Sequence, residues 1–131
     1  MKVVPDTNAL LAAFGTRGLC EAVFEICLTD HQIVLCEHIL RQLNRHLRGK
    51  FHLPAAAARE TVDFLRTNAA LVEPAAVPPS ACRDESDLPV LGTADAAGAD
   101  CLISGDTDLL SLGRFGRTLI LSPRQFHDHL T

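Results

Sequence analysis

Val3-Val4-Pro5-Asp6-Thr7-Asn8 decides how this chain is read, because an apolar run breaks into a carboxylate, a hydroxyl and an amide. A short apolar run bounded this way reads as a buried strand, and it delivers an Asp to the edge of a sheet. The second half repeats the arrangement: Ala99-Asp100-Cys101-Leu102-Ile103-Ser104-Gly105-Asp106-Thr107-Asp108 is again an apolar strand running into hydroxyl, glycine and carboxylate. In doubly wound parallel sheets, ligands bind outside the carboxyl ends of the strands, where the strand order reverses. Two strands ending in Asp can therefore bring acids from distant sequence into one pocket. Each piece alone has a plainer use, since Asp-Thr-Asn after a strand is ordinary N-cap chemistry and Gly-Asp-Thr-Asp an ordinary turn.

Between these stretches the periodicity predicts alternating elements. A strand at 2–5 precedes helices over 8–14 and Leu19–Leu28, the latter with Leu19, Val23, Phe24, Ile26 and Cys27 at helical spacing. His31–Leu35 reads as a second strand and Glu37–Arg48 as a helix whose Ile39, Leu40, Leu43 and Leu47 face inward. Pro54–Thr67 is Ala-rich and helical, Ala70–Glu73 is a third strand, and Pro74, Pro78 and Pro79 mark an extended loop. Asp87 opens a helix over Leu88–Ala97, ended by Gly98. Cys101–Ile103 is the fourth strand, Leu109-Leu110 a helical turn, Thr118–Leu121 the fifth strand, and Pro123–His129 a final turn or helix. This βα alternation predicts an α/β fold, a central, mostly parallel sheet of about five strands covered by helices on both faces.

The 131 residues fit one domain, 1–131, with no repeat or linker, and 47% apolar content with no bilayer-length run describes a soluble protein without a membrane partner. Pro5 and Asp6 interrupt the apolar start, so no signal peptide is expected. Five cysteines (Cys20, Cys27, Cys36, Cys82, Cys101), odd in number, mostly in apolar contexts and without C-x-x-C spacing, read as buried thiols in a reducing cytoplasm. Trp and Tyr are absent, so base stacking falls to Phe, His or Arg. The net charge of −4 gives no general attraction to nucleic acid, yet His38–Arg59 contains no acid and carries Arg41, Arg45, Arg48, Lys50 and Arg59. Such a run is either a solvated face or, beside an acidic pocket, a place to hold phosphates.

Asp6, Asp87 and Asp106 form the candidate site, with Asp108 and Asp84 as auxiliaries. Clustered carboxylates do not all ionise cheaply unless a cation shares them, and hard oxygen donors without a thiolate pattern point to Mg²⁺ or Mn²⁺. Such ions activate water and hold the oxygens of a phosphoryl displacement. Thr7 and Ser104 are suited to orient a ligand or water, Asn8 to bond a carboxylate or phosphate, and the helix after Asn8 offers its amides to an anion.

These residues carry a resemblance that spans nearly the whole chain. From Val3–Asn8 through Ile33-Val34-Leu35-Cys36 to Asp87-Leu88-Pro89-Val90-Leu91 and Ala97–Leu110, the sequence resembles PIN-domain ribonucleases of the VapC-like kind, the toxin halves of bacterial and archaeal toxin–antitoxin pairs. The resemblance implies a compact three-layer α/β/α sandwich and a metal-dependent endoribonuclease that cleaves single-stranded RNA with Mg²⁺ or Mn²⁺. It also implies a homodimer and inhibition by a cognate antitoxin. Carried over, Asp6 matches the first acid, Asp87 the third, Asp106 the fourth and Asp108 an additional one, while Ser104 stands where Thr or Ser precedes Gly-Asp. Arg41, Arg45 and Arg48 then become candidates for holding RNA phosphates, or for pairing with carboxylates of the antitoxin.

The second acid departs from the pattern. Counting six residues from Cys36 lands on Gln42 where a Glu is usual; Gln keeps a carbonyl oxygen but loses the charge. Glu37 is the nearest acid, about 140° around an ideal helix from Gln42. Either Gln42 belongs to the site or it is a solvated helix residue. Two further readings stay open: a PIN-like protein that binds RNA or a partner without cleaving, and a Mg²⁺-dependent phosphohydrolase with Asp6 as covalent nucleophile, for which Asn8 stands where a second Asp is wanted. His127-Asp128-His129 reads as surface rather than a metal motif.

Overall fold

The strands are β1 (Lys2–Pro5), β2 (Gln32–Leu35), β3 (Ala70–Leu71), β4 (Cys101–Ile103), β5 (Arg114–Phe115) and β6 (Thr118–Leu121). In the computed structural model, which describes residues 1–15 and 18–130, they form one six-stranded sheet of order β3-β2-β1-β4-β6-β5. All neighbours are parallel except β5, which runs antiparallel to β6. Val3, Val4, Ile33, Val34, Leu35, Leu102 and Ile103 are all buried. Both sheet faces are covered, which is why these strands read as unbroken apolar runs rather than alternating ones.

The sheet has one strand more than the five expected. β5 is two residues long, half-charged and at an edge, and it joins β6 through a two-residue hairpin with Gly116 at positive φ. So short an edge strand carries no hydrophobic pattern to read. β3 is shorter than the expected 70–73: Val72 N–H still donates to the Leu35 carbonyl at 3.0 Å, and Pro74 then ends the pairing.

Among the described residues seven α-helices flank the sheet: α1 (Thr7–Gly15), α2 (Leu19–Asp30), α3 (Glu37–Gly49), α4 (Ala55–Asn68), α5 (Leu88–Ala97), α6 (Thr107–Leu110) and α7 (Pro123–Leu130). α3 buries Ile39, Leu40, Leu43 and Leu47, the face its spacing predicts. It packs on α1, α4 and α5, while α2 packs on α1 and α7 and α5 lies against β1 and β2. Gly98 ends α5 in the left-handed region, φ 59°. Gly92 in α5 allows a close approach, because a Cβ there would stand 2.4 Å from the Ala75 carbonyl oxygen. Ala75 N–H in turn donates to the Gly92 carbonyl at 2.9 Å, pinning the Pro74 loop to α5. No helix among the described residues is long and apolar enough to cross a membrane.

This topology positions the site. The chain leaves β1 for β2 and β3 on one side, then returns to β4 on the other, so the strand order reverses between β1 and β4. Pro5 pairs with Ile103 at that seam, and Asp6 N–H donates to the Ile103 carbonyl at 3.0 Å. Asp6 and Ser104 therefore leave the sheet side by side.

Candidate metal centre

Asp6 is buried, and both its oxygens are held. Oδ1 accepts from Ala9 N–H at 2.8 Å, the cap of α1, and Oδ2 accepts a hydrogen bond from the Ser104 hydroxyl. The capping role and the buried-acid role thus coexist. Burial raises the Asp6 pKa above the usual carboxylate range; the bonds from Ser104 and Ala9 oppose that rise, and the charge of Asp106 adds to it. Ser104, fully buried, also accepts from Asp106 N–H at 2.9 Å. One hydroxyl therefore couples the two strand-end acids. Asp106 caps α6 by accepting from Asp108 N–H at 2.8 Å.

Asp87 enters from the other side, at the head of α5. Its pKa is pushed up to about 7, first by burial, then by the charge of Asp106 and a hydrogen bond with it, with Asp84 and Asp6 adding to the effect. Carboxylate oxygens of Asp84, Asp87 and Asp106 all lie within 4.8 Å of one another. Among the described residues none of the three is ion-paired; the salt bridges are Arg66–Glu37, Arg117–Asp100 and His127–Asp128. Three acids without a counter-cation are electrostatically costly, and hard carboxylate oxygens suit Mg²⁺ or Mn²⁺. The donor set fits such an ion.

The other expected residues take distinct places. Asp108 meets Asp106 through its backbone amide, and its carboxylate is not among the three that converge. Asn8 is exposed in the first turn of α1. Thr7 is buried and donates to Gln42 Oε1 at 2.7 Å. That bond turns the Gln42 side chain toward the residue after Asp6. Glu37 pairs with Arg66 and offers no substitute. Gln42 also lines a groove of about 630 Å³ between α3 and α4, walled by Arg41, Arg45, Arg48, Arg59 and Arg66. Arg41, Arg45, Arg48 and Arg59 are exposed and free of ion pairs among the described residues. His127 and Asp128 pair with each other at 3.9 Å on α7, away from any acidic cluster.

Two neighbours are not visible as site residues in the sequence. Cys82 is buried with its Sγ 4.0 Å from Asp87 Oδ2, and His38 Nε2 lies 3.2 Å from the Ser86 carbonyl, tying α3 to the loop before α5. Neither spacing nor residue type signals these contacts.

Asp6 and Asp106 at the ends of two parallel strands, with Asp87 and Asp84 brought in at the head of α5, make an acidic cluster that offers a candidate site for a divalent cation on an α/β domain. The chain belongs to the PIN domain family, whose pattern it matches over residues 2–108, and PIN domains are nucleases that generally use divalent metals. Among solved structures, a chain in the crystal structure of VapBC2 from Rickettsia felis, bound to a DNA fragment from their promoter, superimposes with a TM-score of 0.66. The match covers 93% of this chain and 98% of that one at 12% identity, a likeness of fold. No curated protein matches the chain significantly by sequence.

Proposed function

We propose that this chain is a Mg²⁺- or Mn²⁺-dependent endoribonuclease acting on single-stranded RNA, the toxin of a toxin–antitoxin pair. The observation that carries the reading is the convergence of Asp87 and Asp106 beside the buried Asp6–Ser104 pair, with no cation among the described residues to offset them. Asp6, Asp87 and Asp106 would hold the ion, which when bound activates water and neutralises phosphate charge. Ser104 fixes Asp6 and Asp106 relative to each other, and Asp108 holds Asp106 through its amide. Thr7 and Gln42 fix the face of α3 nearest Asp6. Asn8, exposed at the start of α1, would meet a phosphate. Arg41, Arg45 and Arg48, together with Arg59, line the groove that reaches Gln42 and supply the phosphate contacts of a single strand.

Likeness to a chain of a VapBC complex supports a cognate antitoxin as partner. So does the exposure of Phe14, Phe51 and Phe64: Phe14, Gly15 and Phe64 line one hollow and Phe51 lies against Gly15, and large apolar side chains grouped on a surface mark protein contacts. The same reading makes the protein a single-domain cytoplasmic homodimer. A second reading, a PIN-like binder without cleavage, is favoured by Gln42, which brings no charge to the place beside Thr7. Asp6 as a covalent nucleophile is disfavoured by Asn8, which stands where a second Asp is wanted.

The test is Mn²⁺-dependent cleavage of a mixed-sequence single-stranded RNA by the chain, by Asp6→Asn and by Gln42→Glu. Cleavage by the parent, lost with EDTA and in Asp6→Asn, is the expected result. Cleavage by Gln42→Glu alone would select the binder reading, and cleavage by none would sink the nuclease assignment.

A further inference from the structure

The carboxylate that meets Asp87 and Asp106 most closely is not Asp6 but Asp84. Asp84 sits in the loop between β3 and α5, where two single turns of 3-10 helix, Pro79–Ala81 and Glu85–Asp87, fold the chain back toward the sheet. The loop is anchored on both sides: Cys82 is buried, and the Ser86 carbonyl meets His38 of α3 at 3.2 Å. Within it, Asp84 Oδ1 accepts from both Ser86 N–H at 2.9 Å and the Ser86 hydroxyl at 2.8 Å. Those bonds fix the carboxylate while Oδ2 takes no hydrogen bond among the described residues. Meanwhile α3 has nothing comparable to give, because Glu37 is paired with Arg66 and Gln42 is neutral with its oxygen bound by Thr7.

We infer that Asp84 is a direct ligand of the divalent cation, supplying from the loop before α5 the negative charge that α3 does not provide. The inference rests on the nuclease reading, since that reading brings a cation to Asp87 and Asp106. Asp84 then makes the cation site depend on the loop: the ion ties the Pro79–Asp87 segment to the strand-end acids.

The experiment is Mn²⁺ binding to the whole chain, followed by the electron paramagnetic resonance signal of free Mn²⁺, for the parent, Asp84→Asn, Asp87→Asn and Glu85→Gln. Asn at 84 keeps the oxygen that caps Ser86 and is as good a cap as Asp, and it removes repulsion with Asp87, so a cooperative melt in EDTA at or above the parent temperature should confirm folding. Glu85 is an exposed acid in the same loop outside the cluster, so its variant controls for loss of one nearby charge. Because carboxylate count tunes affinity for hard cations, Asp84→Asn should weaken Mn²⁺ binding by about tenfold or more, as Asp87→Asn does, while Glu85→Gln changes it by less than about twofold. Asp84→Asn binding like the parent while Asp87→Asn loses the ion would overturn the inference and leave the nuclease reading standing. Equal losses in Asp84→Asn and Glu85→Gln would reduce Asp84 to a general charge effect and overturn it too. No binding by the parent would overturn both the inference and the nuclease reading.

Discussion

Replacing Asp87 with Asn should stabilise the metal-free protein at neutral and alkaline pH. The Asp87 pKa is raised from 3.8 to about 7 in the folded chain by burial and by Asp106. An acid with a raised folded pKa holds its proton more tightly folded than unfolded, so its contribution is fully present below 3.8 and is lost as pH rises through about 7. Taken at face value a rise of that size is worth about 4 kcal/mol at pH 8. Asp87 is only half-buried, and solvent screening reduces the figure to about 1–2 kcal/mol. Asn retains the shape and a donor toward Asp106 while carrying no charge at any pH. For a chain of 131 residues that gain corresponds to a melting temperature about 4–8 °C higher. The assay is thermal unfolding followed by circular dichroism in EDTA, for parent and Asp87→Asn, from pH 4 to pH 8. The two should converge near pH 4, draw apart steadily as pH rises from there, and differ most above about pH 7. Adding Mn²⁺ at pH 8 should raise the melting temperature of the parent, since binding to the folded state alone stabilises by mass action, and should do little for the variant. A variant no more stable than the parent at pH 8 in EDTA, or a difference that does not change with pH, would refute the reasoning.

Further outcomes follow from the same geometry. Ser104→Ala removes the buried donor to Asp6 and the acceptor for Asp106 N–H; denaturant unfolding should show a loss of about 1–3 kcal/mol, larger at pH 8 than at pH 4 because the bond from Ser104 favours ionised Asp6. Gly92→Ala places a Cβ against the Ala75 carbonyl oxygen, so the melting temperature should fall by the equivalent of about 1–3 kcal/mol; an unchanged melt would mean the Pro74 loop yields freely. Arg45→Ala with Arg48→Ala should weaken binding of single-stranded RNA without regard to sequence. In fluorescence anisotropy across salt concentrations, the slope of log affinity should flatten by about 0.7 for each phosphate that the variant no longer neutralises. A parallel shift with the same slope would remove the groove from the RNA path.

The central strands are legible because they are buried on both faces: Val3-Val4, Ile33-Val34-Leu35 and Cys101-Leu102-Ile103 leave no other reading. The core face of α3 and the end of α5 at Gly98 are equally plain. β5 is not, because Arg114-Phe115 gains its strand character from β6 and not from its own pattern. At the site, Asp6, Ser104 and Asp106 can be placed together since each follows a strand of the same seam. Spacing alone does not tell which way Gln42 faces, and only the long-range contact with Thr7 turns it toward the residue after Asp6. Asp84 reads as auxiliary because its position depends on a Pro-rich loop whose path follows from the burial of Cys82 and the His38–Ser86 contact, both long-range facts.

The cost of the site is itself an argument for its use. A domain has only about 5–15 kcal/mol of net stability, and a cluster of like charges draws on it. Here the opposing devices are local: Ser104 holds two acids at once, Ser86 holds Asp84, and the head of α6 turns Asp106 toward an amide. None of them neutralises Asp87, whose ionisation is opposed by Asp106, Asp84 and Asp6 together. A structural role would be met at less cost by an Asn at that position, and an arginine from α3 would neutralise the cluster if neutralisation were all that was needed. Instead the arginines line the neighbouring groove and the acids remain without a protein cation among the described residues. Stability given up at one locus and compensated at its edges is the pattern expected of a binding centre, and the ligand that relieves all of its members at once is a small, hard, doubly charged cation.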